Sequence, residues 1–313
     1  VTNTTSESCS KSALCILIVG FGDVGQAYAK ALIAQGMVVH LYHPTPREQA
    51  VEAARRIGLE FHTVASAAFA ACDLALNVAP GSQNLTVARA AASHMQPGAL
   101  FADLSSAAPH DVRMAASLFA QVDFVDVAIM GAVSIHGHRT PLVASGDRAP
   151  RLQALLAPLG FSVQVLPDSL PGDATALKLV RSVLTKGMDG VIIECLLVAE
   201  ALGLRQTLLS NIGDLDRSRL SELMAMFVRT HAPHAQRRLH EMEAVENTLQ
   251  NLGVPLIVTP AIRRRYARTV EVLGPTAQLP EGAQGDALFD RVLPWMLQAE
   301  RRDSASPAPL PDG

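Results

Sequence analysis

The stretch GDATALKLVRSVLTKG, residues 172–187, carries three cations: Lys178, Arg181 and Lys186. Leu177, Val180 and Leu184 mark one side of a helix. Lys178, Ser182 and Lys186, at i, i+4 and i+8, share another. A lysine seldom enters a core without a partner. This polar stripe can face water, or it can face a cleft between two domains. In a cleft, partial desolvation would lower a lysine's pKa and make its amine a usable general acid or base. The stripe alone leaves both readings open, so the elements around it have to decide.

A second set of residues concerns phosphate rather than protons. Gly20, Gly22 and Gly25 stand in GxGxxG spacing after CILIVG, a short β-branched apolar run that reads as a fully buried strand. QAYAKALIAQG continues as a helix that stops at Gly36, and MVVHLYH follows as a second strand. Gly20 permits the tight turn, Gly22 lets a pyrophosphate approach the backbone, and Gly25 lets the helix pack closely on the strand. The helix N-terminus adds free amides and the positive end of a dipole. Within strand–turn–helix–strand this spacing predicts dinucleotide binding by Gly20, Phe21, Gly22, Asp23, Val24 and Gly25. The end of the second strand selects the cofactor. LYHPTPR offers no Asp or Glu before Glu48 to hold the ribose of NAD, whereas His43, Thr45 and Arg47 can receive a 2′-phosphate. NADP is therefore favoured over NAD, with a solvated Arg47 as the alternative.

The α/β alternation continues through LALNVA, QPGALFADLSSAAPHDVRMAASLFAQ and VDFVDVAIMGA. In a doubly wound sheet, ligands sit at the carboxyl ends of strands. That puts the loops at 80–83, 103–109 and 130–132 at the cofactor and makes Ala79 and Pro80 cofactor contacts. Ser105 and Ser106 can instead cap the next helix. Near Leu166 the strand signals almost vanish. Residues 173–203 read as one long helix, where Gly187 and Gly190 would allow a bend, and further helical stretches cover 220–253 and 258–274. The expected fold class is α/β: a Rossmann-like, doubly wound N-terminal domain over 13–170, then an all-α C-terminal domain over 171–302. Disordered tails are expected at 1–12 and 303–313.

Composition narrows the function. The 313 residues are 49% apolar and 18% charged, as in a soluble globular protein with room for a sizeable core. The net charge of −3 shows no basic excess, so a nucleic-acid partner is not expected. VIIECLLVAEALGL is the most apolar stretch, but Glu194 and Glu200 interrupt it and it is too short to span a bilayer. The N-terminus lacks the apolar segment of a signal peptide. Cys9, Cys15, Cys72 and Cys195 show no CxxC spacing and read as buried, reduced thiols of a cytoplasmic protein.

Three motifs taken together resemble one family. GxGxxG, then DLSSAAP (103–109), then GDATALKLVRS (172–182), in this order and at these distances, are similar to the β-hydroxyacid dehydrogenases, a group that includes 6-phosphogluconate dehydrogenase and 3-hydroxyisobutyrate dehydrogenase. The resemblance covers roughly residues 13–300 and is nearest a phosphogluconate-dehydrogenase-like branch. It implies that Lys178, six residues after Gly172, is the catalytic lysine. It implies that Ser105 contacts substrate and that Gly131 lies in the substrate loop. It also implies a helical domain that pairs two copies as a homodimer, with LLVAEALGL contributing. The chain departs from the family pattern at two places. Met130 and Ala132 stand where the substrate loop has a serine and its second glycine, and Ser182 stands for the usual asparagine. Both changes remove polar contacts to a carboxylate and a hydroxyl.

The resulting expectation is a nicotinamide-dependent oxidoreductase acting on a small hydroxy acid or related alcohol. Lys178, Ser105 and Ser182 would be catalytic, and Met130, Gly131 and Lys186 would sit at the substrate. The departures also allow a ketone or imine reductase, or a nucleotide-binding sensor whose active site has decayed. Other residues carry less. His231, His234 and His240 lack a carboxylate or cysteine to complete a ligand set, so no metal is expected. Arg237 and Arg238 can each pair with Glu241 on a helix. His136, His138 and Arg139 can attract an anionic substrate, and Arg181 is expected at solvent or against another helix. Trp295 and Met296 are expected in a core or interface.

Overall fold

A computed structural model describes residues 14–304, which divide into two compact units between Val183 and Leu184. The tails expected at 1–12 and 303–313 lie outside the described residues, except that the last helix includes 303 and 304. The first unit runs β1 (Cys15–Val19), α1 (Asp23–Ala34), β2 (Val38–Tyr42), α2 (Glu48–Arg55), β3 (Phe61–His62), α3 (Ala65–Ala70), β4 (Leu74–Asn77), α4 (Asn84–His94), β5 (Leu100–Asp103) and α5 (Pro109–Ala116). It continues with β6 (Asp123–Ile129), α6 (Val133–His136), β7 (Leu142–Ser145), α7 (Ala149–Leu156) and β8 (Val163–Val165). The strands form one sheet in the order β3-β2-β1-β4-β5-β6-β7-β8. The chain winds outward from β1 to β3, then returns to place β4 on the other side of β1. That reversal is the topological switch point at which doubly wound sheets bind ligands.

The apolar run of β1 explains its central place. Ile16, Leu17 and Ile18 are all fully buried, as a strand covered on both faces must be. Their side chains alternate between the two layers: Ile16 and Ile18 join one core cluster, and Leu17 and Val19 join the other. α1 begins at Asp23, earlier than the expected QAYAKALIAQG helix, so Asp23, Val24 and Gly25 form its first turn. β7 and β8 were not expected from sequence. They are runs of only four and three residues, too short to show a period. β7 pairs antiparallel to β6, since the short connection between them holds no full crossover helix.

α8 (Asp173–Ala201) is a single helix that passes from the first unit into the second and is unbroken at Gly187 and Gly190. The second unit then contains α9 (Arg205–Asn211), α10 (Gly213–Arg217), α11 (Leu220–His231), α12 (Ala235–Leu249), α13 (Val258–Leu273) and α14 (Ala287–Ser304). Glu194 of α8 caps α13. Its carboxylate accepts from the N–H groups of Ile257 (2.6 Å), Val258 (2.7 Å) and Thr259 (2.8 Å) and from the Thr259 hydroxyl (2.6 Å). These are the donors that a helix start leaves without intrahelical partners. Trp295 and Met296 pack partly buried against a small cluster of Ala283, Leu288 and Val292.

Cys72 is buried and Cys15 half-buried, whereas Cys195 is exposed, contrary to the expectation of buried thiols. In its turn of α8 only Glu194 is buried, and Val191, Ile192 and Ile193 share the exposure of Cys195. Cys9 lies outside the described residues. Arg237 pairs with Glu241 as expected, but Arg238 turns to Thr230, donating to its hydroxyl (2.9 Å). His231 is likewise engaged: its Nε2 lies 2.9 Å from the Thr269 hydroxyl and its ring stacks on Tyr266. Burial, with Arg265 and Arg238 adding to it, lowers the His231 pKa.

Candidate active site

A cavity of about 750 Å³ opens at the carboxyl ends of the central strands, a size typical of small-molecule and cofactor sites. Gly20, Phe21, Gly22, Asp23 and Val24 form its floor between β1 and α1. His43, Pro46 and Arg47 lie beyond β2, and Val78, Ala79 and Pro80 beyond β4. Leu104 and Ser106 follow β5, and Ile129, Gly131, Val133 and Ser134 follow β6. Lys178 of α8 completes the lining.

The three glycines have distinct physical roles. Gly20 has φ +95°, and a Cβ there would stand 2.9 Å from the Ala79 nitrogen. A Cβ on Gly25 would meet the Gly20 carbonyl oxygen at 2.3 Å, so this glycine is what lets α1 lie against the turn. A Cβ on Gly22 would meet no protein atom within 4 Å, although Gly22 lines the cavity. Nothing in the fold demands a glycine there, which suits a position kept bare for a ligand. No side chain caps α1, so its first-turn amides remain available to an anion. These features fit a pyrophosphate.

Gly22→Ala is therefore expected to weaken dinucleotide binding strongly while costing at most about 1 kcal/mol of stability, the scale of an N-cap change. Gly25→Ala is expected to destabilise the fold itself, because backbone is struck and the packing must shift. Calorimetric titration beside thermal melts separates the two. Equal melting losses for both variants would contradict the assignment.

At the far end of β2, His43 is half-buried, and its Nδ1 accepts from the Thr45 N–H at 3.1 Å. That bond leaves Nε2 as the donor of a neutral ring. Arg47 is exposed at the start of α2. Thr45 is exposed and does not line the cavity; its backbone holds His43 instead.

Lys178 is half-buried in the second turn of α8, and the anchorage of that helix is specific. Asp126 in the middle of β6 is fully buried. Its carboxylate accepts from the N–H groups of Gly172 (2.9 Å) and Thr175 (3.1 Å), and from the hydroxyls of Thr175 (2.7 Å) and Ser145 (3.0 Å). Gly172 has φ +99°, and a Cβ would strike the Pro109 carbonyl at 2.9 Å. This is a physical reason for a glycine six residues before the lysine. One turn beyond Lys178, the exposed Arg181 donates from its guanidinium to the Met130 carbonyl at 2.6 Å and so ties α8 to the loop after β6.

Of the other expected site residues, Gly131, Ala79 and Pro80 line the cavity, whereas Ser105, Met130, Ser182 and Lys186 do not. Ser105 is 5% exposed, and its Oγ accepts from Asn84 at 3.0 Å while Ser106 lines the cavity. Ser106 does not cap the next helix, whose N-cap is Ala108. Met130 packs partly buried against Ala128, Val143 and Ala174. Ser182 is half-buried and Lys186 exposed, and neither lines the cavity. His136, His138 and Arg139 also lie outside the lining; His138 packs edge-on against Phe161. Ser106, which the sequence allows as either a cap or a ligand contact, lies on the cavity side, whereas Ser134 and Leu104 were not singled out. A hydroxyl in a short loop helix carries no pattern of its own.

Known proteins share this fold. Residues 15–164 match the NAD binding domain of 6-phosphogluconate dehydrogenase, and residues 199–269 match a domain of unknown function, DUF1932. The first unit is an NAD-binding domain of the 6-phosphogluconate dehydrogenase type. The chain is similar to a conserved protein of unknown function, MTH1747, described as structurally similar to 3-hydroxyacid dehydrogenases. The identity is 29% with a TM-score of 0.58, covering 82% of this chain and 97% of that one. Its fold is also that of Mycobacterium tuberculosis 3-hydroxyisobutyrate dehydrogenase (18% identity, TM-score 0.59, 85% and 97% covered). The same holds for an Aspergillus terreus imine reductase solved with NADPH4 and a dibenzazepine (17% identity, TM-score 0.70, 86% and 97% covered). The Rossmann-like domain followed by an all-helical region, expected from sequence, is thus the fold of this dehydrogenase and reductase group. Among the described residues no helix is long and apolar enough to cross a membrane.

Proposed function

We propose that the chain is an NAD(P)-dependent oxidoreductase that exchanges a hydride with a small hydroxy acid or a related alcohol or carbonyl compound, with Lys178 as the general acid/base. The observation that carries this reading is that Lys178 lines the same cavity as the glycine loop. When bound, the nicotinamide supplies or accepts the hydride. The amine of Lys178 takes the hydroxyl proton during oxidation, and its ammonium form returns that proton to the carbonyl oxygen during reduction. Ser106 and Ser134 offer hydroxyls to orient the substrate. Ser105 supports the wall from behind. A panel of hydroxy acids, keto acids, ketones and imines, followed by nicotinamide absorbance, tests the reaction. Turnover of no member, with or without Lys178, is what a decayed sensor would give.

One observation favours the carbonyl end of that range. Leu104, Ile129 and Val133 give the part of the lining that follows β5 and β6 an apolar share. Arg181, the next cation on α8, is engaged with the Met130 carbonyl. A ketone or imine suits such a wall better than the carboxylate of a hydroxy acid does, and Lys178 would then be the proton donor.

NADP is the favoured cofactor. His43 and Arg47 line the cavity beyond β2, where NAD sites place a carboxylate. Arg47→Ala is expected to weaken NADPH binding by about 10–100-fold, the worth of a charge-assisted bond, and to leave NADH unchanged. An equal loss for both would remove Arg47 from the 2′-phosphate site.

A homodimer through the helical unit is part of the same proposal. Among the described residues beyond Leu184, the large apolar side chains that are buried are Leu288 and Val292 alone, and the rest of the buried apolar set is alanine. Val191, Ile192, Ile193, Leu197 and Phe227 are each 42–53% exposed. A unit with so small a core needs further apolar contact to be stable, and a second copy supplies it. Light scattering should show a dimer, and Ile193→Asp should shift it to monomer with a lower melting temperature. A monomeric wild type would contradict this.

A further inference from the structure

A row of polar residues crosses the sheet at the edge of the cavity. Asn77 of β4, Asp103 of β5, Asp126 of β6 and Ser145 of β7 are successive register partners, and all are at most 1% exposed. Asp126 and Ser145 are accounted for by the start of α8. Asp103 is not, and it lies outside the cavity lining. Its Oδ1 accepts from the Asn77 amide (3.1 Å) and from the Ser105 N–H (3.0 Å), and its Oδ2 accepts from the Asn84 amide. Asn77 in turn accepts from the Ala79 N–H at 3.2 Å, and Asn84 also donates to Ser105. One carboxylate therefore grips both ends of the β4–α4 loop, which carries Ala79 and Pro80, and the start of the β5–α5 loop, which carries Leu104 and Ser106. The two loops touch: a Cβ on Gly81 would stand 2.5 Å from the Ser106 carbonyl oxygen.

We infer that Asp103 is a positioning residue for the nicotinamide-side wall of the cavity, setting dinucleotide affinity through Asn77, Asn84 and Ser105 without touching the dinucleotide. The inference rests on the reading of the cavity as a nicotinamide-dinucleotide site. In a doubly wound domain the β2 end takes the adenosine half, so the walls after β4 and β5 belong to the other half. Burial raises the Asp103 pKa, with the charge of Asp126 adding to the effect of burial and the hydrogen bonds from Ser105 and Asn84 opposing it. A carboxyl raised in this way favours the fold below its ordinary pKa and loses that contribution as pH rises. What the geometry shows this buried carboxyl doing is ordering two loops at once.

The test compares two ligands in full-length protein by calorimetry: NADPH, and 2′,5′-ADP, which reaches only the His43–Arg47 end. Asp103→Asn places an amide against the Asn77 and Asn84 amides and should weaken NADPH about 10–100-fold while leaving 2′,5′-ADP within about twofold. Asn84→Ala, which leaves the carboxylate in place and removes one arm, should show the same split at smaller size and serves if Asp103→Asn fails to fold. Parallel loss of both ligands, or loss of neither, overturns the positioning role. A wild type that binds neither ligand overturns the cofactor reading and this inference with it.

Discussion

Lys178→Ala should cut turnover by about 10²–10⁴-fold, the usual contribution of a positioned general acid or base, and leave dinucleotide affinity nearly intact. The split follows from the geometry. The phosphate contacts come from the Gly20–Val24 turn and the 2′-phosphate contacts from His43 and Arg47, whereas Lys178 enters from α8. Its place depends on the Asp126 carboxylate gripping the first turn of that helix and on Arg181 holding the Met130 carbonyl. The loss should appear in kcat for whichever panel member turns over, since proton transfer occurs only on the way to the transition state. Unchanged kcat would remove Lys178 from the chemistry. A matching loss of cofactor binding would make it a ligand contact instead.

Glu194→Gln should destabilise the protein by about 3 kcal/mol at neutral pH and abolish an acid-induced loss of stability that the wild type shows. Burial would by itself raise this carboxyl. The hydrogen bonds from Thr259, Val258 and Ile257 outweigh it and hold the pKa at about 2 instead of the ordinary 4.5. A depressed carboxylate stabilises the fold fully above its unfolded pKa. That stability is lost as pH falls through the folded value, so the window runs from about pH 4.5 down to about 2. The difference of about 2.5 pKa units corresponds to roughly 3 kcal/mol, a reasonable figure for a group only 8% exposed. Urea unfolding at pH 7 and at pH 3 measures it. Identical pH slopes for wild type and Glu194→Gln would show that the cap contributes nothing ionic.

Much of the first unit is legible from residues because its chemistry demands particular types. Gly20 and Gly25 are required by backbone contacts that no other residue survives, and β1 reads as buried because it is. The polar stripe alone leaves Lys178 open between solvent and cleft; the family resemblance marks it through Gly172, a glycine whose positive φ and closeness to Pro109 the fold explains. Three things were not legible. β7 and β8 are too short to carry a period. Ser105 and Ser106 are adjacent and identical, so only the fold shows that Asn84 takes one and the cavity takes the other. The part played by Asp103 depends on three partners, one on the neighbouring strand, one on the helix after it and one in its own loop, a meeting that no spacing in the sequence announces. Glu194 was noticed only as a charge interrupting an apolar run. Its partners stand more than sixty residues away, at the start of α13.

The most direct test of the central claim is a titration of the full chain with NADPH and, separately, NADH, followed by emission of the reduced nicotinamide. The structure predicts saturable binding, tighter for NADPH, that Gly22→Ala weakens and Lys178→Ala does not. Flat titrations with both cofactors would contradict the oxidoreductase assignment.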